Sequence, residues 1–467
     1  MNEYKEVYLA FDLGAGSWRA ALGYEHGLEI RVEEIYREHH QPIERQGNLF
    51  WDAHSIFQGM KCVLKDVARR DIKLSSISID SWSVDYALLD SGGSLLELPR
   101  CYRDKRNVGM VAKLDQRVGL DTVFKRTGVM VEDISTLCQL LAVKSQTPEL
   151  LRHAATLLFI PDLMRFWLCG ERATDFTMAS TSQLYNIQER CWDTELLSLL
   201  GLPNHFLPRI CSSGTVLGHL GPELQKETGL GRVPIVTGAS HDTAAAFAAA
   251  ARENDCAILS SGTWSILGVN MNTILPPGSI DFRRFGYEGN PDGSLRLVHN
   301  VPGMWFIEQC REVWKKEGVP CSYQTIIDAA RACTGFQSCI DPFWKGFVHS
   351  NNIPEAVGAY CRQAGQPEPQ TMGEIAGAVF MGLAKCYARA LDELRKLTER
   401  PLKTLVVVGG GSQNLLLNEW ISRIAGVVVH PSYIEASIIG NIINQQLAVT
   451  KSKNTKVIVL KSAEFSG

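Results

Sequence analysis

The chain has 467 residues, of which 45% are apolar and 21% are charged, and its formal net charge is −3. This length favours two or three domains, and the near-neutral balance of charge gives no basis for binding nucleic acid or an anionic membrane. The polar N-terminal segment does not resemble a secretory signal, no apolar run reaches the ~18–20 residues of a membrane span, and the thirteen cysteines include no Cys-x-x-Cys pair. The sequence therefore predicts a cytoplasmic globular protein with reduced thiols.

The first predicted elements form a β-hairpin. Residues 7–11 and 20–24 read as strands, and a turn rich in glycine and hydroxyl groups follows Asp12. Its backbone N–H groups can form a nest for phosphate oxygens, Asp12 could hold Mg²⁺ through water, and Arg19 could clamp a phosphate. The alternative is an ordinary hairpin turn without a ligand. The candidate phosphate loop consists of Ala15, Gly16, Ser17, Trp18 and Arg19.

A helix and a further strand come next. Residues 52–70 carry apolar side chains at helical spacing, and residues 77–80 alternate as a strand. This strand ends in a polar segment that contains Trp82. The indole of Trp82 is interpreted either as a core aromatic or as the wall of a sugar site, since serines flank it on both sides.

Asp242 is the most informative residue of the chain. Apolar residues 233–236 lead into it, and the small residues 244–250 follow, which predicts a strand, a turn and a tightly packed helix. A carboxylate at such a turn lies at the edge of a sheet, where sites of open α/β folds form. Asp242 can accept a proton from a hydroxyl group, which indicates phosphoryl transfer. His241 is either a catalytic partner or, as we favour, a residue that orients the loop or touches substrate.

The second half of the sequence repeats the plan of the first. Residues 257–259 run into a turn containing Gly262 and Thr263, and residues 264–269 form the returning strand. Later, the apolar residues 405–408 stop at three consecutive glycines, of which Gly410 is the middle one. Glycines cost backbone entropy on folding, so a nucleotide lying on bare backbone is one explanation, and a tight turn is the other. The repeat predicts two related α/β domains around a cleft, residues 1–245 and 246–467.

These segments together resemble the FGGY carbohydrate kinases. The resemblance rests on Asp12-Leu13-Gly14, on Ser240-His241-Asp242-Thr243, on the turn at residues 260–264 and on the three glycines. It implies two actin-like (RNase H-like) domains with mixed sheets flanked by helices. The N-terminal domain would bind sugar and carry the first phosphate loop, and the C-terminal domain would bind the nucleotide. It also implies ATP-dependent phosphorylation of a ketose with Mg²⁺, by a cytoplasmic monomer or homodimer.

The ketose favoured by the resemblance is L-rhamnulose, converted to its 1-phosphate in rhamnose catabolism, with L-fuculose, L-xylulose or another ketose as alternatives. Asp242 is implied to be the general base. Substrate contacts are implied for Trp82, Ser83, His241, Thr243 and Asn300, and nucleotide contacts for Ala15, Gly16, Ser17, Trp18, Arg19, Gly262, Thr263, Glu308 and Gly410.

Three positions depart from the family pattern. Trp18 is bulky where the relatives have small residues, Ser83 replaces a glycine, and Glu308 replaces a glutamine. A different class of protein is the remaining alternative: an ATP-binding conformational protein of the actin or Hsp70 type, or a sugar-sensing pseudokinase. Such a protein would not need a base at Asp242.

Overall fold

The computed structural model describes residues 5–26, 29–250, 255–276, 278–333, 335–347 and 350–450. The described residues divide into two compact units. Those of the first unit fall within Met1–Ala249, Asp281–Arg296 and Ser437–Gly467, and those of the second fall within Ala250–Ile280 and Leu297–Ala436. The chain therefore returns to the first unit twice after residue 250. No helix among the described residues is long and apolar enough to cross a membrane.

The strands are numbered in chain order. They are β1 Glu6–Leu13, β2 Ser17–His26, β3 Glu29–His39, β4 Ile43–Arg45, β5 Asn48–Phe50, β6 Ser76–Ser81, β7 Tyr86–Leu89, β8 Thr156–Phe159, β9 Ala173–Asp175, β10 Tyr185–Asn186, β11 Cys191–Trp192, β12 Arg209–Cys211, β13 Thr215–His219, β14 Pro234–Thr237, β15 Cys256–Ser261, β16 Trp264–Met271, β17 Phe285–Gly289, β18 Leu295–Pro302, β19 Thr404–Val408 and β20 Val428–Pro431.

The α-helices are numbered in the same way. They are α1 Ala53–Arg69, α2 Met110–Val118, α3 Leu120–Thr127, α4 Thr136–Gln146, α5 Pro148–His153, α6 Ile160–Cys169, α7 Phe176–Ala179, α8 Thr194–Leu199, α9 Pro222–Thr228, α10 Asp242–Ala250, α11 Trp305–Lys316, α12 Tyr323–Ala332, α13 Ile353–Gln363, α14 Met372–Thr398, α15 Leu415–Ala425 and α16 Ala436–Thr450. Short 3₁₀ turns occupy Lys105–Asn107, Lys345–Phe347 and Gly410–Gln413.

The main sheet of the first unit has the strand order β13-β14-β6-β1-β2-β3. The hairpin β1-β2 is antiparallel, whereas β6 pairs parallel to both β1 and β14. In the second unit, the sheet contains β18, β16, β15, β19 and β20 in that order. There β15 pairs antiparallel with β16 and parallel with β19. The order β3-β2-β1-β6-β14 thus recurs as β18-β16-β15-β19-β20, and the predicted two-domain α/β architecture with mixed sheets is confirmed.

Strand alternation decides which residues of the first sheet meet which helices. Leu9, Phe11 and Leu13 of β1 are buried in one cluster with the apolar face of α1. Tyr8 and Ala10 point to the opposite face, where they are buried with residues of α16. By the same alternation, Asp12 lies on the face that α16 covers.

Candidate active site

The carboxyl ends of β1 and β6 bring two aspartates together. Asp12 and Asp80 are direct neighbours in the parallel pairing of these strands. Helix α16 ties both in place, since Ser437 Oγ donates to Asp12 Oδ2 at 2.5 Å and Asn441 Nδ2 donates to Asp80 Oδ2 at 2.6 Å. Ser437 and Asn441 are four residues apart and so share one face of the helix.

Arg19 neutralises Asp12. Its Nη2 and Nε atoms lie 2.6 and 3.0 Å from Asp12 Oδ2, and both side chains are largely buried. The register of the hairpin explains this pair, because Asp12 and Arg19 face each other across β1 and β2. The predicted magnesium ligand and the predicted phosphate clamp are therefore paired with each other.

Asp242 is the first residue of α10, and its side chain is 32% exposed. Thr243 donates to Asp242 Oδ1 through both its backbone N–H, at 2.5 Å, and its hydroxyl, at 3.2 Å. His241 Nε2 lies 3.4 Å from the same oxygen. The contacts of Asp242 among the described residues thus gather at Oδ1 rather than at Oδ2.

The carboxylates at this edge influence one another. Burial, followed by the negative charge of Asp12, raises the pKa of Asp80 well above its ordinary value, and Asp242 adds to this shift. Burial also raises the pKa of Asp242; the charge of His241 opposes that shift and Asp12 reinforces it. A proton or another cation beside these carboxyl groups is therefore favoured at this edge of the first sheet.

The small residues after Asp242 allow two helices to cross closely. A Cβ atom added at Gly440 of α16 would lie 1.9 Å from the carbonyl oxygen of Ala245 in α10. Similarly, a Cβ atom at Gly238, in the turn before Asp242, would lie 2.6 Å from Ser78 Oγ. These close approaches hold Asp242 against the end of the sheet.

His241 is buried and has partners on both sides. Its backbone N–H donates to Thr177 Oγ1 at 3.2 Å, and its ring Nδ1 lies 3.0 Å from Nη2 of Arg296. Arg296 in turn pairs with Glu288. Burial lowers the pKa of His241, and Arg296 lowers it further, against the opposing effects of Glu288 and Asp242.

An aromatic cluster surrounds the predicted sugar contact Trp82. The rings of Trp51 and Trp82 lie 4.6 Å apart, and both indole N–H groups donate to Asp85 Oδ2, at 2.5 and 3.0 Å. Asp85 also accepts from Gln139 Nε2 at 3.0 Å and from the backbone of Tyr102 at 3.2 Å. Burial raises the pKa of Asp85 to about 6, even though these donors favour its ionised form. The carboxylate fixes the orientation of both indoles.

Ser83, a predicted sugar contact, lies between Trp82 and Asp85 and is partly exposed. The next residue, Val84, has a φ of 71°, which is unusual for a β-branched residue. The carbonyl of Val84 accepts hydrogen bonds from Thr136 and Gln139, which hold this conformation. Strained backbone of this kind is often found at ligand-binding sites.

The first hairpin turn is held by a histidine that the sequence did not indicate. His40 Nε2 lies 2.6 Å from the carbonyl oxygen of Gly14, and the backbone N–H of His40 donates to Gly16. The His40 ring also lies 5.4 Å from Trp51 and 6.0 Å from Trp82. His40 thus joins the predicted phosphate loop to the aromatic cluster.

In the second unit, Thr263 and Glu308 are brought together. The Thr263 hydroxyl lies 3.0 and 3.1 Å from the two carboxylate oxygens of Glu308. The start of α11 is held on the turn because Met304 N–H donates to the Gly262 carbonyl and Trp305 N–H to the Thr263 carbonyl. A Cβ atom at Gly303 would lie 2.5 Å from Gly262 O, so this position requires glycine.

The three glycines after β19 have different surroundings. Cβ atoms at Gly409 and Gly411 would lie 2.7 Å from Ser261 O and 2.0 Å from Ser261 Oγ, respectively. At Gly410, an added Cβ atom would meet nothing within 4 Å. Packing on Ser261 therefore explains the outer two glycines, and only Gly410 presents bare backbone to open space. Asn300, the predicted sugar contact of the second unit, is exposed near the end of β18.

Family models match both halves of the chain. The N-terminal domain of the FGGY family of carbohydrate kinases matches residues 7–248, and the C-terminal domain of the same family matches residues 257–449. The chain belongs to the FGGY family of carbohydrate kinases.

This FGGY kinase is similar to two proteins named rhamnulokinase. The one from Bacteroides thetaiotaomicron is 38% identical over 448 residues, which cover 95% of this chain and 91% of the relative. The one from Oceanobacillus iheyensis is 32% identical over 448 residues, which cover 95% and 94%. The crystal structure of gluconate kinase from Lactobacillus acidophilus matches with a TM-score of 0.79 at 19% identity, covering 96% of this chain and 90% of that one. The predicted actin-like fold is confirmed.

The carboxylates of this FGGY kinase suit Mg²⁺. Asp12 raises the pKa values of both Asp80 and Asp242, and a divalent cation bound beside the three carboxyl groups would favour their ionised forms. Among the described residues, no three His, Cys, Asp or Glu side chains are placed to hold a metal ion together. A magnesium ion would therefore take most of its ligands from water and phosphate oxygens, as it usually does.

Trp18 was predicted to contact the nucleotide, but its side chain lies in the core of the first unit. The indole is 1% exposed, and its ring centroid lies 4.6 Å from that of Tyr36. A Cβ atom at Gly59 of α1 would lie 2.5 Å from the indole, so the ring fills the space that this glycine leaves. Trp18 points into the core because alternation along β2 directs its side chain towards α1.

Proposed function

We propose that this kinase transfers the γ-phosphoryl group of ATP to L-rhamnulose and forms L-rhamnulose 1-phosphate. The choice of sugar is supported by the two relatives named rhamnulokinase, which match nearly the whole chain. The single observation that carries the chemistry is the environment of Asp242, whose donors gather at Oδ1 and leave Oδ2 for the substrate.

The proposed reaction is a proton transfer coupled to displacement at phosphorus. Asp242 Oδ2 accepts the proton of the sugar hydroxyl, the hydroxyl oxygen forms a bond to the γ-phosphorus, and the bond between that phosphorus and ADP breaks. Asp12 would hold Mg²⁺ through water, and the cation would neutralise phosphate charge. Arg19, which pairs with Asp12, would hold that carboxylate in place or contact the phosphates.

We assign the remaining predicted residues to two groups. In the first unit, the sugar would contact Trp82, Ser83, His241 and Thr243, with Trp82 held by Asp85. In the second unit, the Gly262-Thr263 turn and Glu308 would meet the phosphate side of the nucleotide, and the open backbone of Gly410 would meet its adenosine side. Asn300 would add a sugar contact. We propose residues 1–245 and 246–467 as the sugar and nucleotide domains, with the described residues 281–296 and 437–450 of the second range folding with the first unit.

A panel of ketoses tests the proposal. Purified enzyme with ATP and Mg²⁺ should give its highest kcat/KM with L-rhamnulose when ADP formation is followed by a coupled assay, with L-fuculose and L-xylulose in the same series. Phosphorus NMR of the product should show coupling to the CH₂ protons of carbon 1. A higher kcat/KM with another ketose would overturn the assignment of the sugar but not of the reaction class.

A further inference from the structure

Arg296 is a fully buried cation near the proposed base, and the proposed mechanism does not yet use it. Its guanidinium pairs with the carboxylate of Glu288 and donates to the carbonyl of Gly289. It also lies 5.4 Å from the ring centroid of Phe247, which belongs to the same helix as Asp242. A buried arginine with partners on several sides has little freedom to move, so its contact with His241 is well defined.

That contact determines where the ring proton of His241 lies. Arg296 Nη2 is 3.0 Å from His241 Nδ1, and an arginine side chain can only donate hydrogen bonds. A proton on Nδ1 would therefore place two N–H groups against each other. Glu288 could accept such a proton only across 3.5 Å, which is long for a hydrogen bond. Hence Nδ1 is the acceptor, and the proton of the neutral ring is on Nε2.

We propose that Arg296 is a positioning residue that fixes His241 as the Nε2–H tautomer and thereby aims an N–H donor at the proposed base. The Nε2 atom is 3.4 Å from Asp242 Oδ1, a distance that a small movement on substrate binding would shorten to a hydrogen bond. This donor stabilises the ionised carboxylate and leaves Oδ2 to accept the substrate proton. The inference rests on the proposed role of Asp242.

Several ionisable groups surround this pair of residues and contribute to its pH response. They are Glu288 of β17, Arg296 of β18 and Asp175 of β9 around His241, and Asp12 of β1 and Asp80 of β6 around Asp242. Replacing Arg296 with a neutral residue removes the only cation of this set that faces His241 among the described residues. Glu288, which lies 3.5 Å from Nδ1, then favours a proton on that atom, so the neutral ring would turn its Nε2 lone pair towards Asp242 and raise the pKa of that carboxyl group.

Two substitutions at one position test the proposal through the pH dependence of the reaction. Arg296→Gln should lower kcat about 10- to 100-fold at neutral pH, which corresponds to the loss of one hydrogen bond to a charged group. It should also move the acid limb of the kcat profile upward by about one pH unit. Arg296→Lys keeps a cation that only donates, so it should recover most of the rate and return the limb to its wild-type position. The KM for ATP should change little in either variant.

Arg126→Gln serves as the matched control. Arg126 is a partly buried arginine that pairs with Asp193 at 2.7 Å, outside the proposed site. Its loss should lower the Tm without moving the pH profile. If Arg296→Gln likewise lowers the rate by the same factor at every pH, Arg296 has only a structural role and the proposal is overturned.

A measurement on the wild-type enzyme decides the tautomer even if Arg296→Gln does not fold. Nitrogen-15 NMR of the histidine rings, with the His241 signals assigned by their loss in His241→Gln, should show an unprotonated Nδ1 and a protonated Nε2. A proton on Nδ1 would refute the proposal. This spectrum needs no substrate, so it remains decisive if the wild type phosphorylates none of the ketoses and the proposed function fails.

Discussion

The two sheets repeat one strand order, but the equivalent strand ends carry different residues. In the first unit, β1 and β6 end near Asp12 and Asp80, and α10 adds Asp242. In the second unit, the corresponding strands β15 and β19 lead into a serine, glycine and threonine turn and into three glycines. The first edge is acidic, whereas the second consists mainly of hydroxyl groups and bare backbone. The comparison teaches that one strand order can present ionisable side chains at the edge of one sheet and hydroxyl groups and bare backbone at the edge of the other.

The largest effect is expected from removing the proposed base at the acidic edge. Asp242→Asn should lower kcat about 10²- to 10⁴-fold, because the amide cannot accept the hydroxyl proton. ATP binding, measured by calorimetry, should remain. The wild-type rate should fall on the acid side through a pKa above that of an ordinary aspartate, since only ionised Asp242 acts as a base and burial raises its pKa. An unchanged rate in the variant would show that Asp242 is not the base. The proposed functional difference between the acidic and the uncharged edge would then also fail.

The next largest effect concerns the aromatic cluster of the first unit. Asp85→Ala leaves two indole N–H groups, an amide and a backbone N–H without their shared acceptor. We expect a loss of about 3 kcal/mol or more in the free energy of unfolding, measured with urea, and a higher KM for the sugar with little change in the KM for ATP. Asp85→Asn, which keeps one oxygen acceptor, is the control and should be milder. Equal losses for both variants would contradict the role assigned to the hydrogen bonds.

Two neighbouring glycines probe the uncharged edge. Gly411→Ala should lower the free energy of unfolding by about 1–3 kcal/mol, because the added Cβ atom would overlap Ser261. Gly410→Ala has open space and should leave the Tm nearly unchanged, while raising the KM for ATP about three- to tenfold if the nucleotide lies on this backbone, a change of about 1 kcal/mol. If the KM for ATP of Gly410→Ala stays at the wild-type value, the nucleotide does not lie on the backbone of Gly410.

The smallest effect on kinetics is expected from Glu308, whose carboxylate contacts Thr263 in the turn at the second edge. Glu308→Gln keeps an oxygen for the Thr263 hydroxyl but removes a negative charge from the side assigned to phosphate. Weaker repulsion should lower the KM for ATP about two- to threefold, the scale of two charges several ångströms apart in water. Thr263→Val, which removes the hydroxyl instead, is the comparison variant. A higher KM for ATP in Glu308→Gln would show that the carboxylate assists binding, for example through the cation.

The sequence predicted the parts of the fold and site that depend on local pattern. Alternating and helical spacing indicated the hairpins and α1, and the change from apolar to small residues at Asp242 indicated the start of α10. The repeat of the hairpin in the second half predicted the two domains of one architecture. The boundary at residue 245 and the roles of the site residues remain predictions.

The local sequence pattern could not predict contacts between segments that are distant in the chain. Arg296 meets His241 across 55 residues, and Asn441 meets Asp80 across 361. Nothing in the sequence around either residue marks such a partner. The contact of Asp85 with Trp82 spans only three residues and was easier to predict from the sequence. Its second indole donor, Trp51, comes from a separate segment that the local pattern does not connect to it. The orientation of Trp18 was missed because the loop pattern outweighed strand alternation.

The position of α16 has a consequence for how the protein is made. This helix covers Tyr8, Ala10 and Ala21 of the first sheet and holds Asp12 and Asp80, yet the ribosome adds it after the entire second unit. At ~5–20 residues per second, β1 emerges tens of seconds before the helix that shields one of its faces. This apolar face of the nascent first unit therefore stays uncovered until α16 has been made, and during that interval a chaperone that binds apolar surface would reduce aggregation most.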